Sequence, residues 1–310
     1  MNIAYMEPLS QAMKRMKKSL FKPFDVGKWF AVGFTAFLAG LLDYGGGGGN
    51  GAQAAFDEND FDDEEFFDLP DHIMRWIEDN PEWLALIITG IILLVAVIVV
   101  LTWLSSRGKF MFLDNVLHDR ALVIKPWQDY KELGNSLFLW RVTYGFIVLV
   151  IILALFGYIY SALYDMYIYD EFAENILTLV GLGFLLLAFI IITAYISLFL
   201  SDFIVPIMYK KSLKSMPAWS VFMSLFSQHA AYFILYGLLI FILSILVFFG
   251  VILLGLFTCC LGFVLLVIPY ISSVVLLPIS YTFRAFSVQF LEQFGVEFSL
   301  FPQSQEESSG

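Results

Sequence analysis

Charge is scarce in this sequence, and histidine and cysteine are scarcer: 15% of 310 residues are Asp, Glu, Lys or Arg, with three histidines and two cysteines. Soluble domains carry about a quarter charged residues, so this composition, 60% hydrophobic, excludes an ordinary water-facing surface. The cysteines, Cys259 and Cys260, are adjacent, and one vicinal pair builds no disulfide framework. His72, His118 and His229 are far apart, and none has a second histidine, cysteine or carboxylate at zinc-ligand spacing. The glycine run Gly45 to Gly49 lacks the Lys-Ser/Thr that completes a phosphate loop. The residues therefore state no catalytic, cofactor-binding or metal site.

What is present is long uncharged sequence. Trp83 to Ser106, Val142 to Tyr164, Asn175 to Ser201 and the 69 residues from Ser215 to Phe283 are each long enough to cross about 30 Å of hydrocarbon as helix. Sixteen of the seventeen Lys and Arg residues then fall on one side of the membrane that these runs define. The segment after the second span carries Arg107, Lys109, Arg120, Lys125, Lys131 and Arg141, and the positive-inside rule assigns it to the cytoplasm. Asp43 to Glu82, with 13 of the 28 carboxylates and Arg75 as its only cation, is assigned outside. No basic face is left over to neutralise phosphates, which argues against nucleic acid as a partner.

Trp29 to Leu42 is short for a span, with 14 residues, yet without it the six cations from Lys14 to Lys28 would lie outside; it is read as the first span. The third span emerges at Tyr164 beside Asp165, Asp170, Glu171 and Glu174, and the fourth returns to Lys210, Lys211 and Lys214. Gly250, Gly255 and Gly262 mark an outer turn near residues 257–262, dividing the remaining apolar stretch into two spans, the last closed by Arg284. The expected fold is an all-α polytopic transmembrane bundle of about six spans in the cytoplasmic membrane, with both termini cytoplasmic. Its parts are an amphipathic arm (1–28), a first span (29–44), an acidic Gly-rich outer loop (45–82), a five-span bundle (83–284) and an amphipathic segment with a tail (285–310). Basic residues, an apolar stretch and Ala52-Gln53-Ala54 follow signal-peptide order, but the long basic region favours a retained anchor.

Several segments have the pattern of helices at the membrane surface. Met6, Leu9, Met13, Met16 and Leu20 recur at steps of three and four with Lys14, Arg15, Lys17 and Lys18 between them. Such a stripe faces acyl chains with its cations on anionic headgroups, or packs on the protein's own cytoplasmic segments. Pro126 before Trp127, Tyr130, Leu133 and Leu137, and Pro217 before Trp219, Phe222, Met223 and Phe226, repeat the design, since proline is favourable at a helix start. Phe283, Phe286, Phe290 and Phe294 form a fourth series. Lys22-Pro23-Phe24 resembles Lys125-Pro126-Trp127, and Val205 to Tyr209 resembles Leu277 to Tyr281, which suggests three helical hairpins of common ancestry. In the outer loop, residues 45–69 are too polar and Gly-rich to fold alone and lack the spacing of a Ca²⁺ loop, whereas 70–80 suggest one short helix.

Ionisable groups stay at the span ends. Asp202 stands out because Phe203 to Met208 remains apolar beyond it, putting its carboxylate just inside the hydrocarbon boundary, within reach of Arg107, Arg141 or Arg284. An ion pair that fixes helix packing is the favoured reading over a substrate or proton site.

Trp103 to Asp114, with Lys125-Pro126-Trp127 and Gly134 to Phe138 downstream, resembles a family of uncharacterised prokaryotic integral membrane proteins over most of the chain. The plan of six spans with proline-led surface segments is similar, in architecture only, to the membrane domain joined to some glycerophosphodiester phosphodiesterases. The metal-binding acidic and histidine residues of those enzymes have no counterpart, so no activity is implied. The sequence is read as a non-catalytic bundle that organises lipid or partner proteins, with membrane lipids as partners and no cofactor; a small-molecule or lipid transporter is the alternative.

Overall fold

The computed structural model describes residues 3–42, 72–169, 172–258 and 261–302. Most of the acidic loop, the cysteine pair, Asp170 with Glu171 and the tail from 303 lie outside them. Every described element is helical: α1 (Met6–Phe21), α2 (Val26–Gly40), α3 (Pro81–His118), α4 (Ile124–Asp129), α5 (Lys131–Tyr169) and α6 (Phe172–Phe199). A π-helical turn (Leu200–Ile204) leads to α7 (Val205–Lys211), then α8 (Ser215–Phe257), α9 (Leu261–Val267), α10 (Pro269–Val275), α11 (Leu277–Glu292) and a 3₁₀ turn (Val296–Phe298). Residues 72–79 are also helical.

Four helical stretches are long and apolar enough to cross a bilayer: Pro81–His118, Lys131–Tyr167, Ile176–Lys211 and Ser215–Phe257. A fifth is reached if α10 and α11, bent by 65° at Leu276, count as one. The first expected span is the 15-residue α2. The break before α11 has a local cause: Pro278 provides no N–H to continue the hydrogen-bond ladder of α10, and proline is favourable in the first turn of a helix. The basic segment after the second expected span begins as helix, since α3 runs unbroken to His118.

Contacts divide the chain into two units. Unit 2, residues 51–100 and 144–192, consists in its described part of apolar helix exposed on all sides, with only Ala162 and Leu182 buried. Ile92, Leu93, Leu153 and Phe184 are each more than 60% exposed. Apolar patches of this extent are not tolerated in water.

Unit 1, residues 1–50, 101–143 and 193–310, holds the core. Two glycines permit its close helix packing: a Cβ on Gly33 would lie 2.7 Å from Val274, and one on Gly108 2.6 Å from the backbone of Leu38 and Ala39. Asp25 caps α2, accepting from the N–H groups of Gly27 (2.8 Å) and Lys28 (3.3 Å). At the centre lies an aromatic cluster in which Phe203 stacks on Phe222 (5.6 Å, 11°) and Tyr236 on Phe286 (5.3 Å), while Phe290 lies 4.6 Å from Tyr236 and Phe294 stacks on Phe233 (4.8 Å). Such pairs add about 0.5–1.5 kcal/mol each beyond burial. The phenylalanine series at the chain's end, expected at the membrane surface, thus faces protein, with Phe286 and Phe290 fully buried. A stripe at helical spacing specifies an apolar partner without saying whether it is lipid or protein.

The amphipathic arm divides similarly. Gln293 clamps the start of α1, accepting from Ala4 N–H (2.8 Å) and donating to Ala4 C=O (2.9 Å), and Tyr5 stacks on Phe290. Arg15 donates to the carbonyls of Val116 (3.4 Å) and Leu117 (2.7 Å) at the α3 C-terminus, a favourable place for a cation. Leu20 is buried and Leu9 and Met16 are half-buried, whereas Met6 and Met13 are exposed beside Lys14, Lys17 and Lys18.

Candidate functional site

Unit 1 buries charge as well as aromatic surface. Three helical segments, α3, the π-turn before α7, and α11, bring Lys109, Ser201, Asp202 and Arg284 into one polar junction. The Lys109 ammonium, on a residue 1% exposed, donates to Ser201 Oγ at 2.6 Å. Arg284 Nη1 donates to the Ser201 carbonyl at 2.6 Å and lies 3.8 Å from Asp202 Oδ1. Tyr236 donates to Asp202 Oδ2 at 2.8 Å. The π-turn explains the carbonyl: bonding there runs from Val205 N–H back five residues to Leu200, which turns a neighbouring backbone oxygen towards a side chain.

Sequence singled out Asp202, Arg107, Arg141 and Arg284. Asp202 and Arg284 meet. Arg107 instead lies over the rings of Trp103 (4.4 Å) and Trp127 (4.8 Å) and donates to Asn135 at 3.1 Å. Arg141 donates to Ser105 (2.9 Å) and Ser106 (3.4 Å).

A second junction escaped sequence reading. Asp114 is fully buried, and its carboxylate takes a bidentate pair from Arg120 (2.7 and 3.0 Å) with hydroxyl donation from Tyr209 (2.7 Å) and Tyr130 (3.2 Å). The hydrogen bonds and charge of Asp114 push the Arg120 guanidinium above its usual value. Burial raises the Tyr130 hydroxyl, keeping it a donor. Beside this junction, Asp119 accepts from Ser19 and pairs with Lys28 at 2.8 Å. Burial pushes its carboxyl up, but the bonds from Lys28 and Ser19 and the charges of Lys28 and Arg15 outweigh this and hold it below the usual range. In sequence Asp114 stands out only as the last residue of the Trp103 to Asp114 string, because its partners Arg120, Tyr130 and Tyr209 lie 6 to 95 residues away.

Most of these groups are hydrogen-bonded to one another, and Arg284 Nε is buried without a hydrogen-bond partner among the described residues. Among the described residues no three His, Cys, Asp or Glu side chains group to hold a metal ion. Residues 4–301 match the model of a family of unknown function, DUF7544. No curated protein and no solved structure matches the chain.

Proposed function

The chain belongs to that family of unknown function, which brings no activity with it, and we propose that it is a non-catalytic six-span bundle of the cytoplasmic membrane that organises lipid or partner proteins at the inner face. One observation carries this reading: the most apolar windows of the four long helices are 0–6% buried, while Lys109, Asp114 and Arg284 of unit 1 are buried beside polar partners. Lipid is the solvent that such a division fits. In this reading α2, α3, α5, α6, the distal part of α8 and the returning α9–α10 are the six spans, and the positive-inside rule orients them with both termini inside.

The exposed side of α1 supports lipid contact at the inner leaflet. Met6, Met13 and Phe21 alternate there with Lys14 and Lys17, an apolar and cationic mixture suited to anionic headgroups. The transporter alternative draws on the Lys109–Ser201–Asp202–Arg284 junction, because buried ionisable groups in spans mark substrate or proton paths in many carriers. Labelling of single cysteines tests the topology in a background where Cys259 and Cys260 are replaced. Cysteine at Asn59 or Glu171 reacts with an impermeant thiol reagent from outside, and cysteine at Gln128 or Ser212 does not. Reaction at Gln128 in intact cells overturns the orientation.

A further inference from the structure

Unit 1 contains an open groove of about 480 Å³ whose lining is assigned to nothing above. One wall is a face of α8, where Ser220, Ser224 and Gln228 follow at steps of four and present two hydroxyls and an amide. Opposite are Lys211 at the end of α7 and Glu297 on the 3₁₀ turn, paired at 2.5 Å. Gly295, at φ +143°, turns the chain after α11 so that Glu297 reaches this wall. Phe294 and Phe298, both almost fully buried, anchor that turn and form an apolar floor. His229 closes the end of the groove at the one non-helical position within α8 (φ −134°, ψ 28°).

The charge pattern selects a ligand class. A simple anion reaching Lys211 meets Glu297, and a simple cation reaching Glu297 meets Lys211, so either leaves one member of the pair opposed. A zwitterion replaces both halves: its phosphate takes Lys211 and the hydroxyls, and its ammonium donates to Glu297. The pair is exposed enough to open, with 26% of the Lys211 and 62% of the Glu297 side chain accessible. Beyond His229, α8 has no charged residue to its end, and Ile234, Leu235 and Leu238 are about half exposed, a surface on which acyl chains can lie. The geometry points to a site for an aminoalkyl phosphate, the headgroup of an ethanolamine phospholipid. The lipid source of that group rests on the membrane reading; recognition of the group itself does not.

Full-length protein in detergent is titrated with short-chain phosphatidylethanolamine, phosphatidylglycerol and phosphatidylcholine and with soluble glycerophosphoethanolamine, with binding followed by thermophoresis. The ethanolamine lipid binds about tenfold or more tightly than the other two lipids, since glycerol brings no cation and choline has no N–H for Glu297. Lys211→Gln and Glu297→Gln each lose about tenfold in affinity for it. Gln228→Ala gives a smaller loss and leaves the ion pair intact, which guards against a variant that misfolds. Equal binding of the three lipids, or unchanged binding by both charge variants at parental thermal stability, overturns the site. Equal affinity for glycerophosphoethanolamine overturns the lipid source and identifies a soluble aminoalkyl phosphate as ligand. Loss of lipid selectivity with the cysteine topology intact rejects the groove alone; reversed topology with the soluble headgroup still bound rejects the membrane reading alone.

Discussion

The same helices behave oppositely in the two units. Along α3, residues 81–100 belong to unit 2 and all are exposed, whereas Thr102 to Leu117 belong to unit 1 and are largely buried, Lys109 and Asp114 among them. Hydropathy would assign the reverse, because the exposed part is leucine, isoleucine and valine and the buried part carries the ionisable groups. The contrast shows that burial in this protein follows partner availability. Apolar residues of unit 2 need no protein contact if hydrocarbon surrounds them, whereas the polar groups of unit 1 need specific partners and find them only within the fold.

The largest expected effect separates the two units directly. Phe290→Ala removes a ring that contacts Tyr5, Phe203, Tyr236 and Phe294, and should cost about 3–5 kcal/mol in detergent unfolding. Ile92→Ala, at a position 64% exposed, should change stability by less than about 0.5 kcal/mol. Similar losses at both positions would show that unit 2 is packed against protein, and the comparison would fail.

The Asp202 junction sharpens the contrast at intermediate size. Asp202→Asn leaves Arg284 uncompensated beside the Ser201 carbonyl and should destabilise by about 1–3 kcal/mol. Adding Arg284→Gln should recover part of that loss in a thermal double-mutant cycle. A single variant as stable as the parent that loses ligand uptake would favour the transporter reading instead.

The smallest effect concerns acid. The Asp119 carboxyl is held below its usual range in the folded protein, so its contribution is complete above about pH 4, the unfolded value, and is lost as pH falls through the folded one. Half of this side chain is exposed, which limits the size. In thermal melts the parent should lose its advantage over Asp119→Asn as the pH drops below about 4. An advantage that persists in acid would mean that Ser19 and Lys28 hold the segment without this charge.

Helical class and the long apolar runs were legible because lipid-spanning length is a property of the chain alone. The helix break near residue 258 and the helix at 72–79 also fell where glycine and proline suggested. Less legible was what each apolar stripe faces. Phe286 and Phe290 belong to a stripe at steps of three and four, as Met6 and Met13 do, yet the former lie in the core and the latter are exposed. Sequence put three arginines equally near Asp202, and in the structure Arg284 lies 3.8 Å from its carboxylate. Arg107 went to Trp103 and Trp127, and Arg141 to Ser105.

By itself the sequence determined where helix could form and which segments could not face water, since these follow from composition and spacing within single segments. Tertiary structure alone decided that Arg284 meets Asp202, that Arg120, Tyr130 and Tyr209 close around Asp114, and that Lys211 and Glu297 pair on one wall of a groove. Those pairings join residues from 6 to 95 positions apart. Side-chain chemistry states what such a partner must offer, and only the path of the backbone through space selects which candidate arrives within hydrogen-bonding distance.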